Sequence, residues 1–338
     1  MSFKRFDIQD IVASSDSITG PAWSTNEPTL TEFHTSSIQY NGSSGDYYLS
    51  IYHQDTTVSA STTEVQFDIA YCDNLGSGSA YYNQGVVGRT PTLTNFGQYR
   101  TLVLEDENAN FLFGTGTNVV TGSHFYALSV ERARYKESLF PSTFNLHLSS
   151  SGGLLKLTND SRDVLVNSFL GSSRVFQVVS GSNGNAISAN SGYSPTLGSY
   201  GLFLPDIGTV LLNPQAISES IQIEASRSNN SDGENASALY DALKLGSNFQ
   251  LNSQETISSN FVFVRLRNGE FNYSENPSFI SGSTGEVIYS NFINQPQVYV
   301  TTVGMYNDAN ELLATAKLSR PLLKDFTKEA LIRVKLDF

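Results

Sequence analysis

Charge is what this sequence has least of. Only 15% of its 338 residues are Asp, Glu, Lys or Arg, against about a quarter in ordinary soluble domains. Basic residues are the scarcer sign, 20 against 32 acidic ones, for a net charge of −12. That balance argues against a dedicated nucleic-acid binder, whose affinity comes largely from neutralising phosphates. A single cysteine, Cys72, excludes an internal disulfide framework and any zinc site built from cysteines of one chain. No stretch approaches the roughly 20 apolar residues of a membrane-spanning helix. Met1 to Val12 lacks the apolar core of a signal peptide.

Neutral polar residues fill the gap. Ser, Thr and Asn side chains compete with a helix for its backbone groups and suit turns and strand faces. Aromatics point the same way, with 21 Phe and 17 Tyr but one Trp. Strict alternation, the mark of a strand, runs through residues 65–71 and 144–148 and through 332–338 at the chain's end. Residues 155–167 read as a hairpin turning at Asn159-Asp160-Ser161. Residues 298–318 read as another, turning at Asn307-Asp308-Ala309-Asn310. Residues 261–267 end at Asn268-Gly269, the strongest two-residue hairpin signal present.

Helical signals are few. Asn213-Pro214 supplies a cap and a first-turn proline for residues 215–221. Residues 236–245 place Leu239, Ala242 and Leu243 on one face before Gly246, and a further short helix is allowed within 92–104. The expected fold is all-β, mainly antiparallel and β-sandwich-like, with a few short helices and long loops at 181–199 and 226–237. The organisation reads as an N-terminal β domain over 1–150 and a middle β segment over 151–255. A C-terminal hairpin region over 256–338 has the option of completing the first sheet.

Motifs for chemistry are weak. The four histidines, His34, His53, His124 and His147, have no metal-ligand spacing, and His147 falls on the outer face of its strand. Asp106-Glu-Asn-Ala-Asn110 starts like a calcium loop but places Phe111 where the turn needs glycine and Thr117 where a bidentate Glu belongs. It reads as an acidic turn. Cys72, at a strand end, reads as a small buried hydrophobe. No catalytic residue and no cofactor are expected.

One asymmetry stands out. From Lys317 onward there are six basic residues, Lys317, Arg320, Lys324, Lys328, Arg333 and Lys335, against three acidic ones. Two readings remain open for this set: solvated strand faces whose lysines discourage edge pairing, or a docking surface for an acidic neighbour, including another copy of this chain. Tyr81 and Tyr82 are further candidate anchors, since tyrosine offers area and a hydrogen bond at small entropic cost.

Several stretches resemble virion structural proteins of contractile-tailed, cyanophage-like bacteriophages. They are Pro21-Ala-Trp-Ser-Thr-Asn-Glu-Pro28, Val65-Gln-Phe-Asp-Ile-Ala-Tyr71, Gly97-Gln-Tyr-Arg-Thr-Leu-Val-Leu104, Glu131-Arg-Ala-Arg-Tyr135, Gly201-Leu-Phe-Leu-Pro-Asp-Ile-Gly208 and, above all, residues 299–321. The resemblance implies a non-enzymatic building block of the tail or baseplate, assembled in the host cytoplasm. Its partners would be other virion proteins and further copies of itself, with no nucleic acid and no membrane. The alternative is a carbohydrate- or receptor-binding β-sandwich, for which Trp23 is the one available tryptophan platform.

Overall fold

The computed structural model describes residues 4–35, 48–55, 63–79, 90–163, 167–225, 234–272 and 277–337. In chain order the first elements are β1 (Ile11–Pro21), β2 (Thr29–Leu30), β3 (His34–Thr35), β4 (Leu49–Tyr52), β5 (Val65–Asp73) and α1 (Pro91–Tyr99). They continue with β6 (Phe111–Thr115), β7 (Asn118–Gly122), β8 (His124–Val130), β9 (Ser138–Ser150), β10 (Gly153–Asn159), β11 (Ser168–Leu170), β12 (Ser173–Ser182) and β13 (Asn185–Ala186). Then come β14 (Gly201–Leu204), β15 (Thr209–Leu212), α2 (Pro214–Ile221), α3 (Glu234–Gly246) and β16 (Phe249–Leu266). The last are α4 (Ser290–Asn294), β17 (Val298–Tyr306), β18 (Leu312–Lys324) and β19 (Ala330–Asp337). The fold is all-β: the described strand pairs are antiparallel and the helices short.

Two compact units divide the chain, residues 18–255 and residues 1–17 with 256–338. The larger unit therefore spans the expected 151–255 segment and all but the first 17 residues of the expected 1–150 domain.

In the larger unit one sheet runs in the order β16-β9-β10-β12-β14-β15-β8-β5-β4-β3. Its central strands are buried on both faces. On β5, Phe67, Ile69 and Tyr71 enter one core while Ala70 and Cys72 enter a second; on β8, Tyr126 and Leu128 oppose Phe125 and Ala127 in the same way. This explains the near-continuous apolar runs of β8, β14 and β15, which alternation cannot detect. The first core is closed by α2 and α3 through Ile217, Ile221, Leu239 and Leu243. The second is closed by α1 and β6 through Phe96, Tyr99, Phe111 and Phe113. Thr90 caps α1 by accepting the Leu93 N–H, and Asn213 caps α2 by accepting the Gln215 N–H. A five-residue π turn, Arg100–Leu104, follows α1 and buries Val103.

The sheet curls. Trp23 packs 4.9 Å from Phe249 on β16 and 6.0 Å from Phe67 on β5. Trp23 is only 2% exposed, and its Nε1–H donates to the Phe249 carbonyl at 2.9 Å.

The smaller unit is built around two antiparallel pairs, with β1 also paired to β16. β16 pairs β19 from Ser259↔Asp337 to Leu266↔Ala330, so the alternating C-terminal residues are indeed held in a sheet. β17 and β18 form the hairpin expected over 298–318, and β18 extends it to Lys324. Val262 and Val334 from one pair meet Val303 and Met305 from the other in a small core.

Two expected hairpins differ. Asn268-Gly269 does not return β16 onto the next strand, because the C-terminal strand, with its complementary alternation, takes that edge of β16. The turn folds on itself, Glu270 N–H donating to Arg267 O. Likewise β10 pairs β9 and β12 on its two sides, and residues 164–166, its expected partner, lie outside the described residues. The expected loop at 226–237 is helical from Glu234, where α3 begins; residues 226–233 lie outside the described set.

A candidate interaction surface

Apolar residues are distributed unequally between the units. Among the described residues, 48 of the 53 buried hydrophobic side chains belong to the larger unit and five to the smaller. Yet 13 of the 23 large hydrophobics left exposed lie in the smaller unit, including Ile11, Val12, Tyr289, Tyr299, Leu313 and Leu331. The cause is local. β17–β18 is a two-stranded sheet and β16 is flanked there by β1 and β19; each layer has one face on the shared core, so the other face points to solvent. Val, Ala and Met fill that core where the larger unit uses Phe, Tyr and Leu.

Charge divides the same way. The smaller unit carries ten basic and eleven acidic residues, leaving ten basic and 21 acidic for residues 18–255. Like bodies of net charge −11 repel, whereas a near-neutral module with exposed apolar side chains does not.

Of the six basic residues from Lys317 onward, five are exposed and one is buried. Lys317 and Arg320 are exposed on β18, and Arg333 and Lys335 are exposed on β19. Arg333 lies over the Phe261 ring, 5.4 Å from its centroid. Lys335 pairs with Asp337 at 2.9 Å, and Asp337 also accepts from the Ser259 hydroxyl, which holds its carboxyl below the usual range. Lys328 lies exposed beyond β18, 3.6 Å from Asp325.

Lys324 must be removed from the docking set. It is 0% exposed, and its ammonium donates to Asn268 O at 2.9 Å, Asn272 Oδ1 at 3.0 Å and Asp325 O at 3.3 Å. This ammonium ties the end of β18 to the turn after β16. Burying it is tolerable because three oxygens replace its water. The Asn268-Gly269 pair thus serves as an acceptor for a lysine from a distant strand. Tyr81 and Tyr82 lie outside the described residues.

Elsewhere the polar groups serve the fold. Among the described residues no group of three or more His, Cys, Asp and Glu is placed to hold a metal ion. Asp106 Oδ1 accepts the Asn108 N–H at 2.8 Å, the local turn expected of that acidic segment. Cys72 is fully buried on β5, and burial pushes its thiol well above the usual range, as suits a small core residue. His147 is half-buried between the core residues Leu146 and Leu148, and burial with Lys156 nearby lowers its pKa.

Sequence reasoning missed a polar cluster at Ser24, His53 and Gln66. Ser24 Oγ stands 3.1 Å from His53 Nδ1, and the buried Gln66 amide donates to Ser24 Oγ at 2.7 Å. The third group is a neutral amide lying 3.3 Å from that same ring nitrogen. A catalytic triad would place a carboxylate on the opposite ring nitrogen. Gln66 also accepts the Ser24 N–H, so the cluster pins the chain after Trp23 to β5. Nothing short of tertiary contact marks these three residues.

Trp23 lies in the core and offers no platform for a sugar. Among the described residues, no helix is long and apolar enough to cross a membrane. No protein-family model, curated protein or solved structure matches the chain.

Proposed function

We propose that this chain is a non-enzymatic structural component of a tailed-phage virion, in the tail or baseplate, acting through protein–protein contacts. The observation that carries the assembly reading is the make-up of the smaller unit: near-neutral, with 13 of the 23 exposed large hydrophobics among the described residues around a small core. Such exposed apolar area on a soluble chain marks an interaction surface. The station within a virion rests on the sequence resemblance, strongest over residues 299–321, which form the β17–β18 hairpin and so fall within this same unit.

Partners that suit it are other virion proteins and further copies of the chain, with apolar contacts supplying affinity and the exposed basic residues at the rim supplying register. The receptor-binding alternative has weaker support, because its one tryptophan platform is buried. Mass spectrometry of purified particles, intact and with tails detached, tests the proposal. The chain should be present in both the particle and the tail fraction. Its absence from particles, together with binding to a glycan array, would overturn the proposal in favour of the alternative.

A further inference from the structure

In the smaller unit β1 and β19 each pair with β16, and among the described residues neither has a second strand beside it. An open edge presents a row of backbone donors and acceptors, and native chains guard such edges with lysine, proline or a covering loop. β1 lacks the guard. Over 11 residues it has no Lys or Arg, a proline only at its last position and a single charge, Asp16, and almost all of it is exposed. β19 carries the opposite net sign, with exposed Arg333 and Lys335 against one acid, Asp337.

We infer that the edge of β1 on one molecule pairs with the edge of β19 on a second copy, continuing the sheet head to tail. The inference rests on the assembly reading above and specifies one contact within it. The occupant follows from charge. A symmetric β1–β1 antiparallel pairing centred on the strand sets Asp16 against Asp16. A symmetric β19–β19 antiparallel pairing centred on Val334 sets Arg333 of each copy against Lys335 of the other. Like charges directly opposite are destabilising across strands. Head-to-tail pairing places Asp16 beside the basic strand and uses both edges at once. A contact between unlike surfaces closes into a ring or continues as a filament, according to the rotation it imposes. Backbone pairing of this kind takes affinity from main-chain hydrogen bonds and specificity from alternate side chains.

Cysteine trapping on the purified full chain decides it. Ser15→Cys and Lys335→Cys are prepared separately, mixed, and oxidised; Cys72 is buried and stays silent. The expected result is a disulfide-linked dimer in the mixture and none with either variant alone. Adding Asp16→Lys to the Ser15→Cys protein should reduce that product by about fivefold. Ala13→Cys mixed with Arg333→Cys repeats the test at neighbouring positions and covers a variant that fails to fold. Self-crosslinking of Asp16→Cys alone, the residue that a symmetric pair sets against its own copy, would overturn the inference in favour of that pair. No mixed product with either combination would overturn it outright. Wild-type chain found in particles alongside that negative result would leave the assembly reading standing and the edge contact refuted.

Discussion

The ring of Phe67 on β5 meets the ring of Phe249 on β16 edge-on, with centroids 5.2 Å apart, although six strands separate β5 from β16 in the sheet. Only a curled sheet brings them together. Strand twist accumulates across the sheet, and the two ends turn their inner faces toward one core. Trp23 and Phe144 pack against the same Phe249, so this ring is where the two ends of the sheet are fastened.

Truncating either ring should therefore cost more than the loss of one buried side chain at the edge of a core. Phe67→Ala and Phe249→Ala are each expected to destabilise the larger unit by about 3–5 kcal/mol. Their coupling in a double-mutant cycle should be about 0.5–1.5 kcal/mol. Urea unfolding of the two single variants and the double variant measures both quantities, and strict additivity would contradict the contact.

Trp23 gives that experiment its signal. The only tryptophan is buried against Phe67 and Phe249, so native emission should be blue-shifted and should move to the red when the larger unit unfolds. Fluorescence from Trp23 and far-ultraviolet circular dichroism need not coincide, because the smaller unit has its own thin core. Two transitions, the earlier one silent in fluorescence, are the expected pattern.

Lys324 and Lys317 lie on the same strand and should respond oppositely. Lys324→Met leaves the Asn268 carbonyl and the Asn272 amide oxygen without their shared donor, at a cost of about 1–3 kcal/mol. Lys317→Met, at an exposed position, should change stability by no more than about 0.5 kcal/mol. Denaturant melts followed by circular dichroism compare them. Equal effects would show that the buried ammonium is not what holds the turn.

Asp160 makes the fold less stable as pH rises from mild acid to neutral. Burial pushes its carboxyl up to about 6, opposed by the Gln177 N–H that donates to Oδ1 at 2.9 Å. A raised folded-state pKa disfavours the charged form in the fold. Its contribution is therefore most favourable below the ordinary carboxylate pKa near 3.8 and declines as pH rises through about 6. Asp160→Asn retains an oxygen acceptor and cannot ionise, so it should remove this decline and be more stable than wild type at pH 7. Thermal melts between pH 4 and 7 on both proteins test the sign.

How much of this could be read in advance depends on where the information lay. The strand at the chain's end, the hairpin at 298–318 and the cap at Asn213 are encoded within a few neighbouring residues. β8, β14 and β15 were not legible as half-buried strands, because both their faces are covered and an alternating pattern never arises. The Asn268-Gly269 turn was misread for a different reason. Its local preference for a hairpin is worth less than the backbone pairing and apolar burial gained when β19 takes that edge of β16.

The same distinction holds for the surface. Scarce charge, the basic excess from Lys317 onward and the abundance of Ser, Thr and Asn are properties of the sequence alone, and they suffice to expect a β-rich chain. Which lysine is buried, which strand edges stay open and where apolar side chains remain exposed were decided only by tertiary structure. Pairing between distant strands selects the face each side chain occupies, and no local pattern contains that choice. Lys324 shows it most plainly: one more basic residue in a basic segment by sequence, it is in the fold a buried cation held by three oxygens.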